Sequence, residues 1–306
     1  MIVVCPGQGA QKVGMGKDLA ERFPEARDTF AAIDEALGAR LSHLMFEGPE
    51  EELVRTHNTQ PAILAHTAAV LAVVGPRLEI HAAAGHSLGE YSAYLAAGAL
   101  DVTAAARLVR QRGTLMLEAG AARPGAMAAV LGLAPADVEA ACAEASAAGE
   151  VAVAANLNEP AQTVISGDPA AVARAGEACK ARGAKRVLPL KVSGAFHSPL
   201  MEPAVPGLVA ALAAVEFRAP GCPVVANATA EAVTDAPTAL RLLAEQLTAP
   251  VRWIACAQRL AELAPGQPFV EVGPGAVLGG LVKRIVPGAQ TMTLGTAAEV
   301  EQFLTR

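Results

Sequence analysis

Two hydrophobic periods alternate along the chain. Ile2 to Cys5 is a short unbroken apolar run, which predicts a buried strand, and Pro6-Gly7-Gln8-Gly9 predicts the loop that follows it. From there to about Leu78 the spacing is helical, broken at Gly38, at Gly48-Pro49 and at Gly75-Pro76. A second apolar run, Ile80 to Ala84, leads into Gly85-His86-Ser87-Leu88-Gly89 and then into a helical stretch, Glu90 to Leu100. Asp101 is placed to cap a further helix that runs to about Ala119.

Between 125 and 191 the rhythm changes. It predicts strand 126–131, helix 136–148, strand 151–156, strand 162–166, helix 169–182 and strand 184–190. That β-α-β-β-α-β order is the ferredoxin-like unit. Afterwards come helix 199–214, strand 224–227, helices 236–247 and 254–263, strand 268–271 and helix 276–285. Strands separated by helices predict an α/β fold with a parallel sheet. The expected organisation is an α/β-hydrolase-like catalytic subdomain, residues 1–124 and 192–306, with a ferredoxin-like small subdomain, 125–191, inserted into it.

Composition narrows the class. The 306 residues are 53% apolar and 18% charged, so the chain folds around a sizeable core and is not disordered. Its net charge of −6 argues against bulk nucleic-acid binding. No apolar run approaches a membrane span, and the first residues lack the basic and long apolar regions of a secretion signal. The five cysteines are scattered without C-x-x-C spacing, which favours neither zinc nor disulfides and suits a reducing cytoplasm.

Gly85-His86-Ser87-Leu88-Gly89 reads G-x-S-x-G between a strand and a helix, the setting of a nucleophile elbow. A serine needs an adjacent base. His86 is its sequence neighbour, but adjacent side chains diverge. His197, in a loop before a helix, suits either a base or an idle solvated imidazole. No Asp or Glu declares itself as a third member. Arg112 lies among Ala105, Leu108, Val109, Leu115 and Met116 on one apolar helix face. A buried guanidinium must be paired. It either snorkels out, pairs with a structural carboxylate, or waits for a substrate carboxylate, which arginine holds bidentately. The loop at Gly7-Gln8-Gly9 is no nucleotide loop, because Lys12 and Met15 stand where a third glycine and a lysine belong. It does sit at the C-terminal end of a first strand, where Gln8 could donate to an oxyanion.

Eight ordered stretches carry a family resemblance. They are Pro6 to Gln11, Thr59-Gln60-Pro61-Ala62, Gly85 to Tyr91, Arg112-Gly113 with Met116, Asn156 to Gly167, Gly194 to Ser198, Gln246 to Trp253, and Glu271 to Gly275. Together they resemble the malonyl-CoA:acyl-carrier-protein transacylases of fatty-acid synthesis and the related polyketide acyltransferase domains. Cys5 departs from the pattern, where an aromatic residue more often precedes the proline.

The resemblance implies that Ser87 is acylated and that His197 is its base. It places the backbone carbonyl of Gln246 where a triad acid would stand. It assigns Gln8 and the Leu88 N–H to the oxyanion hole and gives Arg112 the free carboxylate of a malonyl group. Met116 and Phe196 would line the acyl site, with Phe196 crowding a 2-methyl branch. The implied reaction is ping-pong transfer of malonyl from coenzyme A to the phosphopantetheine thiol of an acidic, transiently docked acyl carrier protein. It implies no cofactor and no metal, and a cytoplasmic monomer that contacts neither nucleic acid nor membrane. Lys180, Arg182, Lys185 and Arg186, or Lys283 and Arg284, are the basic residues available for the carrier, unless they are ordinary solvated surface. The same chemistry would serve a stand-alone polyketide acyltransferase or the malonyl-transfer subunit of a malonate decarboxylase. A serine esterase or thioesterase shares the elbow but has no need of Arg112, and a non-catalytic scaffold would need neither Ser87 nor His197.

Overall fold

The computed structural model describes residues 1–147 and 149–305. Strand β1 (Ile2–Cys5) is apolar throughout because both of its faces are covered. Val3 and Cys5 enter one core layer, while Ile2 and Val4 enter the other. On one side β1 pairs in parallel with β2 (Ala82–Gly85), residue Cys5 opposite Gly85. A second sheet is built from β3 (Ala126–Leu131), β4 (Ala152–Glu159), β5 (Gln162–Gly167) and β6 (Arg186–Pro189). The main sheet is completed by β7 (Val224–Val225), β8 (Ala232–Val233), β9 (Phe269–Val272) and β10 (Thr291–Leu294).

The main sheet has the order β10-β9-β1-β2-β7-β8, and all its pairings are parallel except β7 with β8. The second sheet, β4-β5-β3-β6, is antiparallel throughout, which is the ferredoxin-like arrangement. Its helices, Pro135–Ala145 and Pro169–Ala181, close a separate core. Strand β4 is also tied to the segment before the helix Trp253–Leu263. The Val251 N–H donates to the Ala155 carbonyl (2.8 Å), and the Leu157 N–H to the Val251 carbonyl (2.9 Å).

Several expected elements take a different form. The expected helix 199–214 is a 3-10 turn, Pro199–Ala204, followed by an α-helix, Val205–Ala213. Pro203 and Pro206 have no N–H to donate, so a continuous α-helical ladder cannot form there. The expected helix 136–148 ends at Ala145, and Ala148 lies outside the described residues. The edge strands β8 and β10 and the helix Ala297–Leu304 have no counterpart among the expected elements. Strand β8 has only two residues, and β10, Thr291-Met292-Thr293-Leu294, is mostly half-buried and lacks the unbroken apolar run that marks β1.

Candidate active site

The two elbow glycines are required by backbone proximity. A Cβ on Gly85 would fall 1.8 Å from the Gly89 carbonyl oxygen, and one on Gly89 would fall 2.1 Å from the Cys5 carbonyl oxygen. Only hydrogen at these positions lets β2 turn directly into the helix Leu88–Ala96 and lets that helix seat against β1. Ser87 stands at the turn with φ 52°. Its N–H donates to Asn227 Oδ1 (2.7 Å), while Asn227 Nδ2 donates to the Gly85 carbonyl (2.7 Å). One amide from the end of the neighbouring strand therefore holds both sides of the turn.

His197 Nε2 lies 2.7 Å from Ser87 Oγ, and its Nδ1 lies 3.0 Å from the Gln246 backbone carbonyl. A carbonyl can only accept, so Nδ1 carries the hydrogen and Nε2 is left as the base. The imidazole is buried and also takes a positive φ, 56°. Burial and then the Arg112 charge push its pKa down to about 3, against a partly opposing bond to Gln246. It is neutral at neutral pH, the form a base requires. His197 is therefore not solvated: it is buried and faces Ser87. His86 is turned away, with Nε2 2.8 Å from Asn158 Oδ1.

Arg112 is 1% exposed, so it does not snorkel. It forms no ion pair with a carboxylate among the described residues, so it is not a structural salt bridge either. Nη1 donates to Gln60 Oε1 (2.8 Å), and Nη2 donates to Gln246 Oε1 (2.8 Å) and to Ser87 Oγ (3.2 Å). The helix Val102–Ala122 brings it there because Gly113 lets that helix meet the start of the helix Thr56–Val74. A Cβ at 113 would lie 2.7 Å from His57 Cα. Met116 is reached through the same pair of helices, its Sδ 3.2 Å from Gln60 Nε2. Phe196 is buried beside His197 in the main core.

The Leu88 N–H, at the first position of its helix, has no partner among the described residues and opens beside Ser87. Gly7 packs on the His86 carbonyl, which brings Gln8 alongside the elbow. The Gln8 side chain is exposed, 3.5 Å from Thr56 Oγ1. A cleft of about 460 Å³, lined by Gln8, His86, Asn158 and Arg284 among others, opens here where the two sheets meet.

The sequence assigns no role to three residues of the site: Asn227, and Gln60 and Glu90, which lie within stretches that carry the family resemblance. The Gln246 side chain is a fourth contributor beyond its carbonyl. Glu90 is fully buried, and its Oε2 accepts from the Asn227 N–H (3.0 Å) and from Gln246 Nε2 (2.7 Å). A hint does exist, since Glu90 is the one carboxylate between Ala82 and Leu100.

A serine on a positive-φ elbow, a neutral imidazole against a carbonyl, and a buried arginine with no carboxylate partner among the described residues are groups that serine acyl transfer can use. Comparison with known proteins agrees. The acyl transferase domain family matches residues 2–298. The malonyl CoA-acyl carrier protein transacylase of Escherichia coli (strain K12) is 47% identical over 92% of each chain. The crystal structure of an acyl carrier protein S-malonyltransferase from Vibrio cholerae superposes with a TM-score of 0.94, at 44% identity over 98% of each chain. A malonyl-transacylase solved in complex with a type II polyketide acyl-carrier protein has a TM-score of 0.94 at 43% identity, covering 99% of this chain and 98% of its own. This chain belongs to the acyl transferase domain family.

Proposed function

We propose that the chain transfers a malonyl group from coenzyme A to the phosphopantetheine thiol of an acyl carrier protein, supplying extender units for fatty-acid synthesis. The observation that carries this is Arg112: buried, without a carboxylate partner, and 3.2 Å from Ser87 Oγ. An uncompensated buried charge costs several kcal/mol by order of magnitude, and a substrate carboxylate offsets that cost.

In the first half-reaction Ser87 Oγ attacks the thioester carbonyl and gives its proton to His197 Nε2. The oxyanion is met by the Leu88 N–H and by Gln8, at the positive end of the helix Leu88–Ala96. The intermediate collapses, the carbon–sulfur bond breaks, and His197 returns the proton to the leaving thiolate. The malonyl carboxylate sits on Arg112 throughout. In the second half the carrier's thiol gives its proton to His197 and attacks the serine ester, and Ser87 leaves as the protonated hydroxyl. Burial of His197 and Arg112 keeps a water nucleophile from the ester between the two steps. Side chains and main-chain groups of this chain perform every step, with no resident cofactor.

The remaining assignments are part of the same reading. Residues 125–191 act as a small subdomain against 1–124 and 192–306, and the pantetheine arm enters by the 460 Å³ cleft between the two sheets. Phe196 and Met116 bound the acyl site. The protein works as a cytoplasmic monomer. Its cysteines are unpaired and buried, as a reducing compartment allows, and no described helix is long and apolar enough to cross a membrane.

The test is mass spectrometry of the protein after malonyl-CoA treatment. A malonyl adduct is expected on the peptide containing Ser87 and none in Ser87→Ala. An adduct confined to another peptide would refute the assignment. Arg112→Ala is expected to lose malonyl transfer by about a hundredfold, the loss of a charge-assisted bidentate contact, while keeping acetyl transfer.

A further inference from the structure

The arginine of this site donates to two amides and to Ser87 Oγ, and the buried Glu90, which makes no hydrogen bond to it, is bonded to one of those amides. Gln246 Oε1 accepts from Arg112 Nη2 (2.8 Å), and Gln246 Nε2 donates to Glu90 Oε2 (2.7 Å) and to the Ser87 carbonyl (3.0 Å). Both N–H groups of that amide face acceptors, and its oxygen faces a donor. The opposite orientation would set the amide oxygen against a carboxylate and a carbonyl, and the NH2 against a guanidinium. The same residue's main-chain carbonyl orients His197.

We propose that Glu90 is a positioning residue that gives the site its preference for acyl groups bearing a carboxylate, by locking the Gln246 amide so that its oxygen holds Arg112 in place. This rests on the reading that Arg112 receives the substrate carboxylate. A carboxylate placed directly on Arg112 would neutralise it and occupy the face the substrate needs. Relayed through an amide, the negative charge polarises Gln246 and anchors the guanidinium, yet leaves it without an ionic partner. Glu90 is otherwise hard to explain. It is wholly buried, its second oxygen has no partner among the described residues, and burial raises its pKa. A group kept at that expense one turn from the nucleophile is a functional candidate on physical grounds.

Glu90→Gln isolates the effect. The new amide can still accept from the Asn227 N–H, but it can present either oxygen or NH2 to Gln246, so the second amide is no longer forced into one orientation. The full chain is assayed with malonyl-CoA and acetyl-CoA as donors and a holo-carrier protein as acceptor, beside Arg112→Ala and the double variant. Expected for Glu90→Gln is a drop of about tenfold in malonyl kcat/KM, the loss of one charge-assisted bond, carried mainly by KM, with acetyl transfer within about twofold of the parent. In the double variant the malonyl-to-acetyl ratio should match that of Arg112→Ala alone, because both substitutions act on one element. Equal falls in malonyl and acetyl transfer, or an unchanged ratio in Glu90→Gln while Arg112→Ala abolishes it, overturn the role of Glu90 and leave the arginine clamp standing. A malonyl preference that survives Arg112→Ala overturns the clamp itself, and the role of Glu90 with it.

Discussion

Ser87 and His197 each take a positive φ that residues with a Cβ seldom adopt, 52° and 56°. Each such residue costs on the order of 1–3 kcal/mol and persists only where its surroundings force it. Asn227 braces the elbow by accepting from the Ser87 N–H and donating to the Gly85 carbonyl, and the Gln246 carbonyl holds the His197 ring. The proximity of Arg112 also sets the proton affinity of His197. Burial comes first and the guanidinium second, and together they depress it to about 3. A base with a depressed pKa stays unprotonated below its ordinary value of about 6.5, so the acid limb of acetyl-transfer kcat/KM is expected well below pH 6 in the parent. Arg112→Ala removes the second cause and moves that limb upward; an unmoved limb would show that burial alone sets it. Glu90 titrates in the opposite sense. Burial, opposed by its bonds to Asn227 and Gln246 and by Arg112, lifts its pKa from 4.5 to about 7. The folded state therefore holds a proton that the unfolded state has released between those values, and the stability present below pH 4.5 is lost as pH rises through 7. Glu90→Gln removes that loss. Its stability advantage over the parent in chemical denaturation should grow between pH 5 and pH 8, by at most about 3 kcal/mol.

At the level of elements, the elbow depends on how closely a helix and two strands approach. Gly89→Ala places a Cβ against the Cys5 carbonyl, which is backbone and cannot swing aside. A loss of about 3 kcal/mol or more in unfolding free energy is expected, together with most of the activity. Gly280→Ala, inside the helix Val277–Ile285 with open space around its Cβ position, should instead gain roughly 0.5–1 kcal/mol. What the sequence reveals follows the same division. The elbow, Arg112 and the small subdomain were legible because each is a local pattern: a turn between two periods, a charge on an apolar stripe, a β-α-β-β-α-β order. Asn227, Gln60, Glu90 and the Gln246 side chain were not, because amides and a first-turn acid have ordinary local explanations. Asn227 and Gln246 also meet the elbow only across separations of 140 and 159 residues. The role of the Gln246 carbonyl was available through family resemblance alone, since a backbone acceptor has no residue type to recognise. The 3-10 turn after Ser198 could have been read from Pro203 and Pro206.

Across the whole molecule, the distribution of charge bears on where an acidic carrier protein would dock under the proposed function. Of the basic residues marked for docking, Lys180, Arg182 and Arg284 are already engaged with Glu177, Glu144 and Glu159. Lys185, Arg186 and Lys283 have no ion-pair partner among the described residues and remain available to an acidic surface. Lys185→Glu with Arg186→Glu should raise KM for the carrier about tenfold at low salt while leaving malonyl-serine formation from coenzyme A unchanged, the pattern of lost electrostatic steering. An unchanged carrier KM would place docking elsewhere. The separations that hide the site in the sequence also govern when it comes into being. Ser87 is synthesised 110 residues before His197 and 140 before Asn227. A chain leaving the ribosome thus carries its nucleophile long before it has a base, an orienting carbonyl or a clamp on the elbow. On the proposed roles the hydroxyl stays chemically ordinary until the C-terminal half folds back beside it, so a truncated product that retains Ser87 is expected to be inert rather than a stray thioesterase.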